Sequence, residues 1–492
     1  MRLYQIIKPE ELLSLRKPID KEIGFPRCDA GKIAANDVFF CEDGFRESGF
    51  FYVDRAVANG ASFIITHRGG ARRIGTLTIP ILEVEDVRAS YALAWSRYEN
   101  EPASRMRLIA VTGTNGKTSV TSFLHALLSA AGEKAGLIGT VEYSDGERRT
   151  PSAYTTPPPD VLYPLLSDMK KKGAGFAVME ASSHAIAQKR LHGLSFETAV
   201  FTGLSRDHLD YHKTWEAYRD TKASLFASAK NALINADDPS AKYMGFSARG
   251  DVYYYGKSPG ADFEIRDAHC ASDGIRYTLR LTDTEIPVHI PVIGKFHVYN
   301  SAAAIAAAYL AGIPTEALTR AIPLLKAPTG RLEKIYANTD FSVYIDYAHT
   351  PDALVGALLS LRPFTKKLTV LFGAGGDRDK GKRPEMGAAA EVFADLVILT
   401  SDNPRGESPS SIIDDIESGM KRMNHIRIEN RTQAIAYALR QAEAGEILLL
   451  AGKGHENYTV DENGTHAFSE REIVHHTIEE MRKGNDNVSQ SE

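Results

Sequence analysis

The chain has 492 residues, 43% apolar and 25% charged, with a formal net charge of −5. That length suits about three domains, and the mild negative charge leaves no electrostatic footprint for nucleic acid. No apolar run approaches the roughly 20 residues of a membrane span, Met1 to Leu15 holds no signal-peptide core, and the scattered Cys28, Cys41 and Cys270 form neither a disulfide framework nor a zinc site.

The first hundred residues alternate short apolar runs with turns. Val38 to Cys41 and Phe63 to Thr66 read as strands, with a helix from Tyr52 to Asn59 between them. Glu101-Pro102-Ala103-Ser104 reads as a linker, which sets a first domain at 1–103. Leu108 to Val111 is an apolar strand, and Ser119 to Leu128 repeats apolar residues at helical spacing. Between them stands Gly113-Thr114-Asn115-Gly116-Lys117-Thr118. A strand, a tight glycine loop and a helix start make an anion cradle, because loop N–H groups and the helix N-terminus point at one phosphate chain. Lys117 supplies a cation for the terminal phosphates and the Thr118 hydroxyl suits magnesium. Val111 stands where the general Walker pattern wants its first glycine. The loop nonetheless reads as one that binds and spends ATP.

Phe176 to Glu180 is an apolar strand ending in a carboxylate. Alone it reads as a solvent-exposed Glu; beside the phosphate loop it reads as a magnesium-holding acid. Ser205-Arg206-Asp207-His208-Leu209-Asp210-Tyr211-His212 is either a polar loop with a helix cap or a metal or phosphate site, and the spacing does not decide. Lys222 reads as a solvated lysine on a helix. Ser301 to Leu310 is an alanine-rich core helix, and Lys326-Ala327-Pro328-Thr329-Gly330 is a second linker, closing a middle domain at 104–330.

From 331 to 492, strands at Val343 to Ile345, Leu368 to Phe372, Leu396 to Leu399 and Ile447 to Leu450 alternate with helical stretches. The alternation predicts an α/β fold with a parallel, doubly wound sheet. Its strands end at Asp346, Gly373, Asp402 and Gly452, and ligands of such sheets bind at those ends. Gly373-Ala374-Gly375-Gly376-Asp377-Arg378 fails as a dinucleotide fingerprint at Arg378, while the basic run that follows suits anionic groups. The tail after Lys483 is polar and reads as disordered.

Taken together, GTNGKT (113–118), MEASSHA (179–185), SRDHLDYH (205–212), IDYAHTPDAL (345–354), GAGGDRDKGKRP (373–384), SDNPRGE (401–407) and AGKGHE (451–456) resemble the Mur ligases, in the same order. The resemblance implies three α/β domains: a first holding a uridine nucleotide, a P-loop-type second holding ATP, and a Rossmann-like third holding an amino acid. It implies ATP-dependent amide formation through an acyl phosphate. The substrates it implies are UDP-MurNAc-L-Ala-D-Glu and meso-diaminopimelate, in a cytoplasmic monomer. By the same resemblance Gly113, Thr114, Asn115, Gly116, Lys117, Thr118, Asn300, Arg331 and Asp346 contact ATP. Thr155, Thr156, Ser183, Gln188 and Arg190 contact the muramoyl dipeptide. Arg383, Asp402, Asn403, Pro404, Arg405, Gly452 and Glu456 form the diaminopimelate pocket. Thr118, Glu180, His208 and Lys222 hold magnesium, Lys222 after carbamylation by CO2. Lys117, Glu180, His208 and Lys222 are its catalytic set.

Arg405 favours diaminopimelate over lysine, because a planar guanidinium suits the extra carboxylate, and Arg383 is expected to add a second positive charge. A lysine-adding ligase, a folylpolyglutamate synthase, a divergent paralogue with another substrate and a nucleotide-binding protein without ligation are the competing readings. The hundred residues before Arg105 oppose the synthase, which lacks a separate first domain. Two departures from the family pattern stand out: Asp29-Ala30-Gly31 where Asp-Ser-Arg is usual, and Thr202-Gly203-Leu204 where Thr-Asn-Leu is usual.

Overall fold

The computed structural model describes residues 1–13, 19–44, 47–335 and 338–489, with side chains through 483. Ser14 and Leu15, at the end of the N-terminal stretch, lie outside the described residues.

The first unit is a four-stranded parallel sheet of Pro26–Arg27 (β1), Val38–Phe40 (β2), Phe63–His67 (β3) and Ile81–Val84 (β4), in that order. Helix Val87–Tyr98 covers one face and buries Tyr91, Ala92 and Trp95. The expected linker at Glu101 to Ser104 is not an open tether. Pro102–Arg105 forms a 3-10 turn with Pro102 buried, because proline suits the first helical position. One apolar core then runs from the first unit into the second, joining Phe40 and Trp95 to Leu108 and Tyr163.

The second unit holds an eleven-stranded mixed sheet. Its parallel centre is Ala135–Ile138 (β6), Phe176–Glu180 (β9), Arg107–Thr112 (β5), Phe196–Phe201 (β10), Ala229–Asn235 (β11) and Asp251–Gly256 (β12), in that spatial order. Antiparallel Glu142–Ser144 (β7) and Arg149–Pro151 (β8) extend one edge, while Phe263–Ala271 (β13), Gly274–Arg280 (β14) and Glu285–Ile290 (β15) extend the other. The central strand β5 is covered on both faces, so its apolar run is continuous rather than alternating. Leu108 and Ala110 enter the core shared with the first unit, and Ile109 and Val111 face helices Lys117–Ala130 and Lys295–Leu310. The second helix carries Ala302, Ala303, Ala304, Ala306, Ala307 and Ala308, all fully buried, and small side chains let it lie close against the first.

The third unit is a six-stranded sheet ordered Glu333–Ile335 (β16), Ser342–Asp346 (β17), Ile447–Ala451 (β21), Leu368–Phe372 (β18), Leu396–Leu399 (β19) and His425–Arg427 (β20). The four expected strands are its parallel centre. Sequence patterning misses β16, an antiparallel edge, and β20, a parallel one, because three residues are too few to show a period. Helices cover both faces, with separate cores around Leu354, Met386 and Ile413 on one side and Ile435, Leu439 and Val474 on the other. An antiparallel hairpin, Tyr458–Asp461 (β22) with Gly464–Ala467 (β23), follows β21. The expected disordered tail is corrected for 484–489, which continue helix Glu470–Ser489, anchored upstream by buried Val474 and Ile478; Gln490, Ser491 and Glu492 lie outside the described residues.

Candidate active site

The phosphate loop turns on two glycines. Gly113 has φ +148° and Gly116, at the N-cap of helix Lys117–Ala130, has φ +88°. A Cβ at Gly113 would lie 1.9 Å from the Thr202 hydroxyl, and one at Gly116 would lie 2.6 Å from Asn300 Oδ1. Only glycine fits either place. Thr114 Oγ1 bonds the Tyr218 hydroxyl at 3.0 Å and accepts from Ser205 N at 2.9 Å, which ties the loop to the Ser205–His212 segment.

Two lysines converge on this loop. Lys117 Nζ donates to Gly113 O at 2.9 Å and to Thr114 O at 2.8 Å. Lys222 Nζ donates to the same Gly113 O at 2.8 Å and lies 4.7 Å from the centre of the Tyr218 ring. Lys222 is 1% exposed, which corrects the solvated-face expectation: helix Trp215–Ala223 turns it inward beneath the loop. Burial, with the Lys117 charge added, pushes its ammonium well below the usual lysine range. Lys117 is also shifted down, chiefly by desolvation.

Glu180, at the end of β9, is fully buried rather than solvent-exposed. Its Oε1 accepts from Thr140 N at 2.7 Å and its Oε2 from Thr140 Oγ1 at 2.9 Å. With that proton directed at Glu180, Thr140 Oγ1 accepts from the Thr155 hydroxyl at 3.0 Å, and Thr156 Oγ1 donates to Glu180 O at 2.7 Å. Thr140 is a residue the sequence reading missed, although it lies just past a strand end. Arg190 donates to Thr156 O at 2.6 Å and to Gln188 Oε1 at 2.7 Å. Ser183 Oγ is buried with no hydrogen-bond partner among the described residues.

His208 sits at φ +56°, packs edge-on to His184 at 4.9 Å, and has Asp207 Oδ2 at 3.5 Å from Nε2. Burial holds its imidazole below the ordinary range against the pull of Asp207. Among the described residues no three His, Cys, Asp or Glu side chains converge to cage a metal. Magnesium keeps waters and substrate phosphates and takes one or two protein carboxylates, so a site for it needs no such cage. Glu180, with one hydrogen bond on each oxygen, retains lone pairs for it. Thr118 Oγ1 accepts from Arg331 Nη2 at 3.1 Å and stands at the same helix start.

The third unit closes the site. Asn115, Gly116, Asn300, Arg331 and Asp346 line one cavity of about 440 Å³ with Asp237, Phe296 and Tyr299. Asp346 accepts from Leu332 N at 2.6 Å and Ala348 N at 2.8 Å, and burial raises its carboxyl to about 6. A neighbouring cleft of about 420 Å³ joins Thr140, Tyr154 and Thr155 of the second unit to Tyr347, His455 and Glu456 of the third.

Asn403 Nδ2 donates to Glu456 Oε2 at 2.8 Å, and burial raises the Glu456 carboxyl. Lys453 Nζ donates to Asn403 Oδ1 and Tyr458 O, both at 2.9 Å, and has Asp402 Oδ1 at 3.6 Å. Fully buried Lys453 was not singled out from sequence, although it lies inside the glycine-lysine-glycine motif. A Cβ on Gly452 would lie 2.5 Å from Asp402 Oδ2, so two of the strand-end motifs touch there. Buried Pro404 separates Asn403 from half-buried Arg405, which adopts φ +53°. Arg405 Nη1 donates to Gly376 O at 2.9 Å, and among the described residues no carboxylate forms an ion pair with the guanidinium.

Arg383 departs from expectation. It is fully buried, with Nη2 on Glu407 Oε1 at 2.9 Å and on Gly375 O at 3.2 Å, and Nη1 on Asp415 Oδ2 at 2.8 Å. It is not an open second charge. A guanidinium without water needs paired acceptors, so it props the loop that carries Gly375 and Gly376. The Arg383 bond, with Lys380 adding, holds Glu407 at about 2. A carboxyl depressed on folding stabilises above its ordinary value near 4.5 and loses that stabilisation as pH falls toward 2. Glu407→Gln should therefore lower stability by about 1–3 kcal/mol at neutral pH. The deficit should shrink between pH 4.5 and 3, read by urea titration at each pH.

In the first unit, Asp29 Oδ1 accepts from Gly31 N at 2.8 Å, and a Cβ on Gly31 would lie 3.1 Å from Arg55 Nη2. The missing side chain leaves room for that guanidinium.

Residues 111–308 match the Mur ligase middle domain, and residues 330–454 match the Mur ligase glutamate ligase domain. A relative from Caldanaerobacter subterraneus subsp. tengcongensis is 40% identical over 484 residues, covering 96% of this chain and all of its own. The chain belongs to the Mur ligase family. That relative is named UDP-N-acetylmuramoyl-L-alanyl-D-glutamate–2,6-diaminopimelate ligase, as is one from Geobacillus kaustophilus at 37% identity, covering 92% of this chain and 94% of its own. A solved ligase of the same name is 34% identical, with a TM-score of 0.69 over 98% of this chain and 99% of that one. Mycobacterium tuberculosis folylpolyglutamate synthase with ADP shares the fold, at 19% identity and a TM-score of 0.62 over 74% of this chain and 91% of that one. Among the described residues no helix of this Mur ligase is long and apolar enough to cross a membrane.

Proposed function

We infer that this Mur ligase adds meso-diaminopimelate to the D-glutamate of UDP-MurNAc-L-Ala-D-Glu at the expense of ATP, in peptidoglycan precursor synthesis, as a cytoplasmic monomer. The observation that carries the reading is Arg405. It is a half-buried guanidinium without an ion-pair partner among the described residues, held by Gly376 O beside the ends of the third-unit strands. Full-length relatives that are named for diaminopimelate addition support it. Domain roles follow the family: residues 1–103 take the uridine nucleotide, 104–330 take ATP and 331–492 take the amino acid.

The D-glutamyl carboxylate attacks the γ-phosphorus of ATP, the bond to ADP breaks, and an acyl phosphate forms. The amine of diaminopimelate then attacks the acyl carbon, phosphate leaves, and the amine loses its proton as the amide forms. Lys117 and the loop N–H groups offset charge on the transferring phosphoryl group, mostly by position. Thr118, Glu180, His208 and Lys222, once carbamylated, would hold magnesium, which would spread phosphate charge. The carbamate forms when the neutral Lys222 amine adds to CO2 and releases a proton, replacing a second cation beside Lys117 with an anion. Asn300, Arg331 and Asp346 hold the nucleotide. Thr155, Thr156, Ser183, Gln188 and Arg190 hold the dipeptide end of its substrate. Asp402, Asn403 and Glu456, ordered by Lys453, take the amino-acid end of diaminopimelate, and Arg405 takes the far carboxylate. Closure over the cleft excludes water that would hydrolyse the acyl phosphate.

Coupled turnover tests the reading. ADP release should need both the muramoyl dipeptide and an amino acid with a free amine. ADP appearing at an undiminished rate with neither present overturns it.

A further inference from the structure

Between the phosphate loop and the amino-acid pocket lies a set of charges that the reaction does not use. Arg206 and Asp207 are adjacent in the second unit, and each faces a third-unit side chain of opposite sign. Arg206 Nη1 is 3.2 Å from Glu385 Oε1 and its Nε is 3.5 Å from Asp379 Oδ2. Asp207 Oδ1 is 3.9 Å from Lys382 Nζ and its Oδ2 is 3.9 Å from His349 Nε2. The inner pair is buried, with Asp207 and Lys382 side chains 8% and 7% exposed; the outer pair is open, with Arg206 and Glu385 at 47% and 48%. The Arg206 guanidinium lies flush on Gly381, where a Cβ would meet Nη2 at 2.7 Å.

We propose that Arg206 and Asp207, against Asp379, Lys382 and Glu385, form a reversible latch that positions the amino-acid-binding unit over the phosphate loop. Two features carry this. The first is the alternation of sign: a cation on two anions beside an anion on the Lys382 ammonium fixes one register and penalises a slipped one. The second is connectivity. Ser205 N, one residue before the latch, is bonded to Thr114 of the phosphate loop. On the other side Lys382 is followed by Arg383, which carries Glu407 and Gly375 O under the Arg405 loop. Closing the latch and assembling the pocket are thus one movement. Its Arg206–Glu385 contact is a solvent-exposed ion pair, weak and screened by salt, which suits an interface that must open to release product. Arg206, Asp207 and Lys382 are positioning residues; none is assigned to the reacting atoms.

The ATP cavity and the amino-acid pocket both draw walls from the third unit, so loosening the latch lowers the fraction of binding-competent protein and raises both apparent constants together. Arg206→Glu should raise KM for ATP and for diaminopimelate about tenfold, and Arg206→Lys should stay near native. Glu385→Arg alone should be impaired, and Arg206→Glu with Glu385→Arg should recover at least about threefold over the worse single variant. Circular dichroism confirms folding of each, and half-exposed positions tolerate these changes. Small-angle scattering with a non-hydrolysable ATP analogue should show native protein compact and Arg206→Glu expanded. The kinetic arm rests on the ligase reading, but scattering needs no turnover, so the latch and the reaction can fail separately. Unchanged constants and unchanged size in both single variants overturn the latch. So does a double variant no better than the worse single one.

Discussion

Lys222→Arg is expected to reduce turnover by at least about three orders of magnitude while leaving secondary structure intact, the scale of losing one preorganised charge in a phosphoryl-transfer site. The native amine shares Gly113 O with Lys117 and is 1% exposed, so its neutral form is favoured. Only a neutral amine takes up CO2, and an arginine does not deprotonate. Lys222→Met, uncharged and of similar length, should fail equally, because it too carries no carbamate. Single-turnover phosphoryl transfer in both variants, with circular dichroism as the folding control, checks this. Native turnover in either variant would mean that Lys222 is only a buried support for the phosphate loop.

The second large effect is on amino-acid choice. Arg405→Ala should weaken diaminopimelate use by about two to three orders of magnitude, since a charge-assisted contact largely out of water is worth several kcal/mol and each 1.4 kcal/mol is tenfold. Lysine has no far carboxylate and never makes this contact. Its poor use should change little, or improve as repulsion of its ammonium is relieved. The quantity to measure is the ratio of kcat/KM for the two amino acids in native and variant protein. Equal losses would make Arg405 a support for the Gly376 loop, to which its Nη1 already donates. An unchanged ratio would leave the choice of diaminopimelate without a physical basis.

Much of the ATP half of the site was legible because its chemistry is local. Gly113 to Thr118 follow one strand and open one helix, so a short window holds the turn, the cation and the hydroxyl. The strand-end rule for parallel sheets likewise marked Asp346, Gly373, Asp402 and Gly452, and the structure brings the Gly452 and Asp402 ends within touching distance. The amino-acid half was less legible. Arg383 and Arg405 look alike in sequence as basic residues in polar loops, yet one is paired and buried and the other has no ion-pair partner among the described residues.

By itself, then, the sequence determined the α/β class, the phosphate loop, the order of the motifs and, through resemblance, the family. These rest on patterns shorter than a few turns of chain, where strand period, helix spacing and glycine freedom act directly. Tertiary structure alone decided that Lys222 is buried against Gly113 O, that Glu180 is held by Thr140, that Lys453 orders Asn403, and that Arg206 and Asp207 face the third unit. Each of these pairs brings together residues 40 or more positions apart, or groups on separate sheets. The charge and burial of such groups are set by which surfaces the fold presses together, and no local period encodes that.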